Sequence, residues 1–560
     1  MKKRGKVYLM GMDQMVLPLT RYFAQEGSLP TIAKLLERSA CNTALASFPS
    51  YTANNWPVIA TGANTGTHGA FSWFIRMPDG QDVSSLTSLG INAEFIWEAA
   101  ERQGIKSAVL HYPGTLPSRL KQGYIIDGNA GPAFGACPFE LATAEAYTTD
   151  RSVESPSLKE IVLKPAAGWK GLPAGGPRPL ETSIPVTAKN ATDSQEWQVI
   201  VLGGPGGYDR VVVCKEKDLA SAICDCRPGQ WSGWAFVPFG GRTGTVRFKV
   251  TALSPDGRAL KLYRSQMMPT TGFSDPDEIG AELIQAIGPY QEYVSMISDH
   301  GCSPINRKVY METFLIDKGF LVLRDPTLPK TTFVSGWYDK IDWDKSRVWL
   351  HEGVFLDPFN IYINAEKGSA KYDQIQRDLI RELRTWVDPD TQQTVVAMAL
   401  SKRDVQLIGL WGNQVGDVIV VLEGGYQMGR KDSPVTLEDN SGTVVSGHGR
   451  MIPTYETTYG TEKAIFTIAG PGIKRGYERP VDTLGPIKLL DVTPTLCHLL
   501  GIVPPAQSQG AIAHDLFEGH EMVRQRPDPT PEYAPIKHYK GWMQKHLYDY
   551  GILKEESVPC

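Results

Sequence analysis

Two short apolar segments, each followed at once by metal-binding side chains, limit most strongly how this chain of 560 residues can fold. Residues 6–12 are predicted to form a buried strand that ends at Asp13. Residues 293–297 form a similar run before Asp299 and His300. In open α/β sheets, ligands bind beyond the carboxyl ends of the strands. We therefore expect these three side chains to lie close together, although they are far apart in the chain.

A threonine occupies a second informative position. Thr52 follows the turn-like residues 48–50 and begins a segment predicted to be helical. A hydroxyl at a helix N-terminus lies at the positive end of the helix dipole, which suits a nucleophile or a phosphate oxygen. Threonine is also a common N-cap, and for Thr52 taken alone this purely structural role is the favoured interpretation. With Asp13, the Asp299-His300 pair and His448, it gives oxygen and nitrogen donors suited to Zn²⁺ or a similar divalent ion.

The order of these residues resembles the alkaline phosphatase superfamily, and most closely its type I phosphodiesterase/nucleotide pyrophosphatase branch with the related phosphohydrolases and phosphomutases. The most specific matching pieces are the Pro-x-x-Thr of residues 49–52 followed by Trp56, the Thr-Gly…His-Gly of residues 61–69, and the Ser-Asp-His-Gly of residues 298–301. The resemblance covers most of residues 6–520. It implies an α/β fold, with a doubly wound, mostly parallel sheet flanked by helices around a two-metal site.

The resemblance also implies roles for individual residues. Thr52 would be both the nucleophile and a metal ligand, and the first metal would be held by Asp13, Thr52, Asp299 and His300. The second metal would use His448 together with an Asp-x-x-x-His pair.

This chain departs from the family pattern at that pair. None of its ten histidines has an aspartate four residues before it, and residues 277–289 run almost directly into the strand before Asp299. Phe71-Ser72-Trp73 also occupies the place where the phosphodiesterases often have an asparagine. Three outcomes stay open: a one-metal enzyme, a second site rebuilt from residues such as His351 or Glu352, or a chain that has lost catalysis.

The function expected from the resemblance is a metal-dependent phosphohydrolase or phosphodiesterase that cleaves a small organophosphate ester through Thr52. The alternatives are a degenerate member that binds a metal or phosphate without turnover, or a sulfatase- or phosphomutase-like relative. Sulfatases use a Cys or Ser in a Cys/Ser-x-Pro-x-Arg context, and the sequence contains no such motif. The expected cofactor is one or two divalent ions, Zn²⁺ in the first place, with Mn²⁺ or Mg²⁺ as alternatives.

Composition narrows the class of partner. The formal net charge is −4 and there is no basic block, which argues against nucleic acid or an anionic membrane as the main partner. The sequence contains no run of 18 apolar residues, so we expect no transmembrane helix. The eight cysteines are scattered without two paired clusters, which predicts buried free thiols rather than a zinc ribbon. We expect a cytoplasmic protein with a small-molecule phosphoester substrate, and self-association stays open.

A change in composition predicts the domain organisation. Residues 1–155 and 269–520 are expected to form the two parts of the α/β domain, with a β-rich antiparallel insertion at 156–268 and a tail at 521–560. Within the insertion, the glycine-rich residues 203–207 lack the Lys-Ser/Thr of a phosphate loop and are predicted to be a hairpin turn. Trp231 and Trp234 either stack on a base or sugar or serve packing.

Overall fold

A computed structural model describes most of the chain. The residues that it describes are 6–76, 82–127, 141–150, 158–189, 193–270, 274–275, 293–327, 340–350, 359–429, 433, 435–442, 446–448, 451–452, 454–455 and 460–519. The chain divides into two compact units, the first formed by residues 1–123 and 287–536 and the second by residues 124–286 and 537–560. The predicted insertion, residues 156–268, lies within residues 124–286 of the second unit. The division of the chain into four parts stays a prediction.

A mixed five-stranded sheet organises the first unit. Its strands are β1 (Val7–Gly11), β2 (Ala40–Leu45), β3 (Tyr293–Ile297), β4 (Lys463–Ala469) and β5 (Ile487–Lys488), in the spatial order β1-β3-β4-β2-β5. β1 pairs in parallel with β3 and β2 with β5, whereas β4 is antiparallel to both of its neighbours. Four strands therefore run in one direction and β4 in the other. The sheet was expected to be mostly parallel, but it is mixed. The reason is that β4 lies between β3 and β2 and runs antiparallel to both.

Buried apolar residues hold this sheet to its helices. Ile297, Phe466 and Ile468 are fully buried and pack with Val58 and Ile59, which lie on the helix Thr52–Thr61. All ten residues of that helix are buried, so the helix is surrounded by protein rather than lying on the surface. The first unit also contains the helices Leu17–Gln25, Pro30–Arg38, Thr65–His68, Ile96–Arg102, Val481–Leu484 and Val492–Leu500.

The first unit contains a second, antiparallel sheet. Its strands are Val348–Leu350, Phe359–Ile363, Val418–Leu422 and Val396–Ser401, in that spatial order. The helix Ala370–Arg384 buries Ile375, Leu379 and Leu383 in the same core, and their spacing of four residues places them on one face. Further pieces of the first unit are the helix Met311–Asp317 and the strands Phe74–Arg76, Asp82–Ser84, Ala108–Tyr112, Ser303–Pro304, Arg307–Val309, Tyr426–Met428, Leu437–Asp439 and Ser446–Gly447.

The second unit is rich in antiparallel strands. Its largest sheet has five strands in the spatial order Ala222–Cys226, Gly207–Cys214, Ser194–Gly204, Leu180–Thr187 and Lys164–Pro165. The other described strands are Tyr124–Asp127, Glu145–Thr148, Leu158–Glu160, Ala235–Phe239, Arg242–Val246, Phe248–Leu253, Leu260–Arg264, Met268–Pro269 and Ser274–Asp275. Gly204 pairs with Gly207 across a tight hairpin, so the prediction of a turn at residues 203–207 is confirmed.

The described residues include no helix that combines the length and the apolar character needed to cross a bilayer. Six of the eight cysteines are described, and all six are free thiols. Five of these six are buried, as the sequence predicted for that part of the chain, and Cys302 is half-buried.

Candidate active site

Thr52 is the first residue of its helix and does not cap it. Tyr51 occupies the N-cap position in an extended conformation, with φ −152° and ψ 169°. The interpretation of Thr52 as an N-cap is therefore wrong, because its backbone is already helical. Its side chain belongs to a residue that is only 3% exposed, and its hydroxyl faces other polar groups instead of the helix N–H groups.

Two asparagines fix the loop that leads into this helix. The Asn55 carboxamide accepts a hydrogen bond from the backbone N–H of Ser47 at 2.9 Å and donates to the carbonyls of Ser47 and Pro49 at 3.2 and 3.1 Å. Asn54 Nδ2 donates to the Pro49 carbonyl at 2.8 Å. Both asparagines are fully buried, so their hydrogen bonds join the loop to the first helical turn. The position of the Thr52 hydroxyl is therefore set by buried contacts.

The end of strand β1 brings Asp13 to the same place. A Cβ on Gly11 would lie 2.5 Å from the Trp56 ring, so the strand approaches the Thr52 helix more closely than any other residue would allow. The N–H of Met12 donates to the carbonyl of Ile297 at 2.8 Å, which continues the pairing of β1 with β3. Asp13 follows directly, and its side chain is 47% exposed.

The end of strand β3 supplies the next two groups. Asp299 and His300 are fully buried. Ser298 anchors them, since its hydroxyl donates to the carbonyl of Met15 at 3.0 Å and accepts from the N–H of Ile465 at 2.9 Å. A Cβ on Gly301 would lie 2.5 Å from the carbonyl oxygen of Lys463, which explains the glycine after the histidine.

The hydrogen bonding of His300 leaves one ring nitrogen open toward the site. Nδ1 lies 2.6 Å from the carbonyl oxygen of Gly301, and because a carbonyl only accepts, Nδ1 carries the proton. Nε2 of the neutral ring is then an acceptor. It lies 3.1 Å from Thr52 Oγ1, 3.2 Å from Asp299 Oδ2 and 3.8 Å from Asp13 Oδ1. Thr52 Oγ1 also lies 3.4 Å from Asp13 Oδ2.

His448 joins the same group of atoms. Its Nε2 lies 3.2 Å from Nε2 of His300, and the two ring centroids are 4.6 Å apart. It follows the strand Ser446–Gly447, which pairs with Ser303–Pro304. The structure therefore brings together all five residues that the sequence had selected: Asp13, Thr52, Asp299, His300 and His448.

Burial sets the electrostatics of the site. Desolvation raises the pKa of Asp299 to about 7. Desolvation, followed by the charge of Asp299, raises the pKa of Asp13 to about 6. Desolvation also lowers the pKa of His300, which favours the neutral ring. The buried Asp299 carboxyl and the nearby, half-exposed Asp13 carboxyl both resist ionisation, and a bound cation would remove that resistance.

These atoms fit a divalent cation. Among the described residues, the atoms of Asp13, Asp299 and His300 are the one group of three carboxylate, imidazole or thiol donors that lie within 4.8 Å of one another. Among the described residues, the buried Asp299 Oδ2 has no hydrogen-bond partner, and it faces the acceptor nitrogen of His300. A proton or a metal ion between two such acceptors relieves their repulsion, and mixed carboxylate and imidazole donors suit Zn²⁺. The His300–Gly301 hydrogen bond is the kind of outer contact that orients a ligating imidazole.

The second predicted metal site is not found in the described residues. Residues 277–289, where the resemblance places the Asp-x-x-x-His pair, lie outside the part that the structure describes. His351 and Glu352, the proposed replacements, also lie outside it. Their assignment as ligands stays a prediction.

Sequence reasoning assigned no role to Tyr51, which lies beside the site. Its ring meets that of His448 edge-on, with the centroids 6.1 Å apart, and its hydroxyl donates to the carbonyl of Phe71. The sequence signal that could have indicated Tyr51 is its position, since it is an aromatic residue directly before the candidate nucleophile Thr52.

His68, from the Thr-Gly…His-Gly segment, is a different case. It is fully buried, its Nδ1 accepts from the N–H of Ala70 at 3.2 Å, and desolvation lowers its pKa to about 3. His68 is therefore a neutral interior histidine.

Comparison with known proteins identifies relatives of the chain. The family model described as type I phosphodiesterase/nucleotide pyrophosphatase matches residues 7–197 and 271–450, which is more than half of the chain. A Delta 4,5-hexuronate-2-O-sulfatase of Bacteroides thetaiotaomicron is 33% identical over 106 residues, which make up 19% of this chain. The match spans 21% of the length of that sulfatase.

Two solved structures of one mouse protein also align with the chain. They are the murine ectonucleotide pyrophosphatase/phosphodiesterase 5 and its inactive variant in complex with AMP. Each aligns over 90% of this chain and 96% of its own at 13% identity, with a TM-score of 0.42.

Proposed function

Since the chain belongs to the type I phosphodiesterase/nucleotide pyrophosphatase family, we propose that it is a metal-dependent hydrolase of a small organophosphate ester with Thr52 as its nucleophile. The observation that carries the proposal is the position of the Thr52 hydroxyl. Thr52 Oγ1 lies 3.1 Å from His300 Nε2 and 3.4 Å from Asp13 Oδ2, within a group of donors that suits a divalent ion. An N-terminal helix position further favours negative charge on that oxygen.

The proposed reaction has two steps. Thr52 Oγ1 attacks phosphorus, a P–O bond to the leaving group breaks, and a phosphothreonine forms. Water then attacks the phosphorus, the bond to Oγ1 breaks, and phosphate or a phosphomonoester leaves. Asp13 connects the hydroxyl to solvent, because its carboxylate is 3.4 Å from Oγ1 and half exposed, and so it provides the path by which the threonine proton departs. The buried Asp299 and His300 hold their donor atoms in fixed positions.

A divalent ion, when bound, would lower the pKa of the Thr52 hydroxyl and neutralise charge on the phosphoryl oxygens. Asp13, Thr52, Asp299 and His300 would hold it, and we propose that His448 contributes to the same ion. The support is the 3.2 Å distance between the Nε2 atoms of His300 and His448, which places both imidazoles at one position. Zn²⁺ is the proposed ion because imidazole and carboxylate donors at one centre match its preferences.

Activity against a phosphoester panel tests the nucleophile. The protein, loaded with Zn²⁺, Mn²⁺ or Mg²⁺, is assayed with bis-p-nitrophenyl phosphate, the p-nitrophenyl ester of thymidine 5′-phosphate, p-nitrophenyl phosphate and p-nitrophenyl sulfate. We expect phosphodiester turnover, with a loss of at least about a thousandfold in kcat for Thr52→Ala because the attacking atom is removed. Thr52→Ser is the matched control, since it keeps a hydroxyl and is expected to keep measurable turnover.

Elemental analysis of the bound metal, combined with the turnover assay, distinguishes an enzyme from a binding protein. One metal equivalent per chain with no turnover on any ester would replace the proposal by a degenerate metal-binding member. Turnover of the sulfate ester alone would favour a sulfatase, the activity named for the Bacteroides thetaiotaomicron relative. Metal that stays fully bound after Asp299→Asn and His300→Ala would overturn the site assignment.

A further inference from the structure

An exposed aromatic and cationic surface lies in the second unit, on sheets that contribute none of the five site residues. We call it the tryptophan platform and define it by Trp231, Trp234, Arg247, Lys249 and Tyr263. Trp231 is 42% and Trp234 58% exposed, although both are large apolar side chains. Exposed aromatic residues that cluster on a soluble protein commonly mark a binding surface.

Backbone hydrogen bonds hold the platform in place. The loop that carries both tryptophans is joined to the strand Phe248–Leu253, because the N–H of Gly229 donates to the Val250 carbonyl and the N–H of Ser232 to the Phe248 carbonyl, each at 2.8 Å. The Ser232 hydroxyl accepts from the N–H of Phe248 at 2.9 Å. The rings are thus presented in a fixed arrangement before any ligand arrives, which reduces the entropy lost on binding.

The cations of the platform are stacked on its rings. Arg247 Cζ lies 4.3 Å from the ring centroid of Trp231 and 5.2 Å from that of Trp234. Lys249 Nζ lies 5.7 Å from the Trp231 centroid, and the Tyr263 ring meets Trp231 edge-on with the centroids 5.7 Å apart. The guanidinium therefore makes cation–π contacts with both indoles.

Among the residues that the structure describes, no carboxylate pairs with the cations of the platform. Arg247 Nε is buried and has no hydrogen-bond partner among the described residues. Within that same part of the chain, neither Arg247 nor Lys249 forms an ion pair with a carboxylate, whereas neighbouring Lys261 is paired with Asp150 at 3.4 Å. A planar guanidinium with free donors binds carboxylate, sulfate or phosphate oxygens well.

We propose that the tryptophan platform binds an acidic saccharide, with a pyranose ring lying on the exposed indole face and its carboxylate or sulfate on Arg247 and Lys249. A pyranose has an apolar C–H face that matches an indole and polar edges that stay in water. A single strand of nucleic acid would also stack, but it needs a groove of many cations along its backbone. The platform has only Arg247 and Lys249 as cations, neither of them paired with a carboxylate in the described part of the chain, and the net charge of the chain is −4.

Calorimetric titration of the full chain tests this proposal. The acidic probes are hexagalacturonate, which carries carboxylates, and a heparin hexasaccharide, which carries sulfates; cellohexaose is the neutral probe and a twelve-nucleotide oligothymidylate the nucleic-acid probe. We expect saturable binding of at least one acidic probe, and at least tenfold weaker binding of cellohexaose. The stronger of the two acidic probes identifies the anionic group that is preferred.

Variants locate the site. Trp234→Ala and Arg247→Gln are each expected to weaken binding of the acidic probe at least tenfold, while Leu407→Ala, at an 88% exposed apolar residue of the first unit, is expected to leave it unchanged. Trp234 is largely exposed, so its removal is expected to preserve folding, checked by circular dichroism. Thr52→Ala should bind the probe as the parent does, which makes the outcome independent of the proposed catalysis. The absence of saturable binding, equal binding by Trp234→Ala, or tighter binding of oligothymidylate would overturn the proposal.

Discussion

The buried surroundings of the Asp299 carboxylate are best explained by a cation bound beside it. Its Oδ2 is buried, lies 3.2 Å from an unprotonated imidazole nitrogen and has no hydrogen-bond partner among the described residues. A buried acceptor left in this state costs about 1–3 kcal/mol. A divalent ion between Asp299 Oδ2 and His300 Nε2 would turn this free-energy cost into a stabilising contribution.

Removing the charge of Asp299 tests that interpretation. We expect Asp299→Asn to lower the affinity for Zn²⁺ at least tenfold, because a neutral amide is a poorer ligand than a carboxylate. The measurement is a competition titration with a chromophoric chelator. Asp482→Asn, at an exposed position of a short helix, is the matched control and is expected to bind metal as the parent does. Equal affinity in the two variants would contradict a ligand role for Asp299.

Glu312 provides a pH prediction that does not depend on the metal. This side chain is buried in the helix Met311–Asp317, and desolvation raises its pKa from 4.5 to about 7. The folded protein therefore holds a proton that the unfolded chain loses above pH 4.5, so the free energy of unfolding falls as the pH rises from 4.5 to about 7. The loss is at most roughly 3 kcal/mol for a shift of this size.

Glu312→Gln should remove this dependence. We expect the variant to be more stable than the parent at pH 8, where the parent carries a buried charge, and equal or less stable at pH 5. Urea unfolding at the two pH values measures the difference. A stability difference between variant and parent that is the same at both pH values would show that Glu312 is not titrating in this range.

At the scale of elements, the helix Thr52–Thr61 owes its position to the loop before it. Asn55 alone makes three hydrogen bonds to the backbone of residues 47 and 49. Its burial means that no water replaces those bonds when the side chain is removed. The loop and the first helical turn therefore form one structural piece that carries the nucleophile candidate.

We expect Asn55→Ala to lower kcat for the best phosphodiester by about a hundredfold, since small displacements of a reacting group are costly. The variant should also lose about 2 kcal/mol or more of unfolding free energy. Steady-state kinetics with urea unfolding provide both numbers. Asn64→Ala, on a nearby segment where Nδ2 makes an exposed hydrogen bond to Gln509, is the control and should change neither quantity strongly. Unchanged kinetics in Asn55→Ala would mean that Thr52 is positioned by the helix alone.

The elements also show what sequence alone could predict. The runs before Asp13 and Asp299 are both strands, as short apolar segments bounded by polar residues predict. The prediction that residues 6–12 are buried is wrong, because this strand lies at the edge of its sheet and its residues are half-buried or exposed. The residue pattern of 307–322 alone predicts a helix that leads to a strand, and this prediction is only partly right. Residues Arg307–Val309 form a strand between Tyr426–Met428 and Leu437–Asp439, and the helix begins only at Met311. Buried Arg307 pairs with Asp388 at 2.8 Å, a distant partner that local propensity does not reveal.

The proximity of the five candidate residues was predictable for a different reason. Asp13, Thr52, Asp299, His300 and His448 are of residue types that share a chemistry, and the family resemblance gave their order. The tautomer of His300 and the approach of His448 to it were not predictable, because they depend on the Gly301 carbonyl and on a two-residue strand pairing. The direction of β4 was likewise missed, since a strand's apolar pattern does not encode its direction.

At the scale of the whole molecule, the five site residues all belong to the first unit. Metal binding should therefore stabilise that unit and leave the second unit's own stability unchanged. Ligand binding to the native state raises stability by RT ln(1 + [L]/Kd), which is about 4 kcal/mol at a thousandfold excess over Kd. The second unit has its own buried core of residues such as Trp197, Phe248 and Leu262.

Chelation tests this expectation. We expect the metal-free protein, prepared by dialysis against EDTA, to show one thermal transition lowered by several degrees and restored by Zn²⁺, with any separate transition of the second unit unchanged. Differential scanning calorimetry measures both. The double variant Asp299→Asn, His300→Ala is the control, since its melting should not respond to Zn²⁺. A transition that shifts equally in the double variant would place the responsible ion elsewhere.

The distribution of the five donors along the chain has a consequence for synthesis of the protein. Asp13 and Thr52 are synthesised well before Asp299 and His300, and His448 follows His300 by 148 residues. Under the proposed assignment, ion capture by all five residues must therefore wait until His448 has been synthesised, and earlier intermediates present only part of the set. A chain that terminates before residue 448 would lack one of the proposed donors.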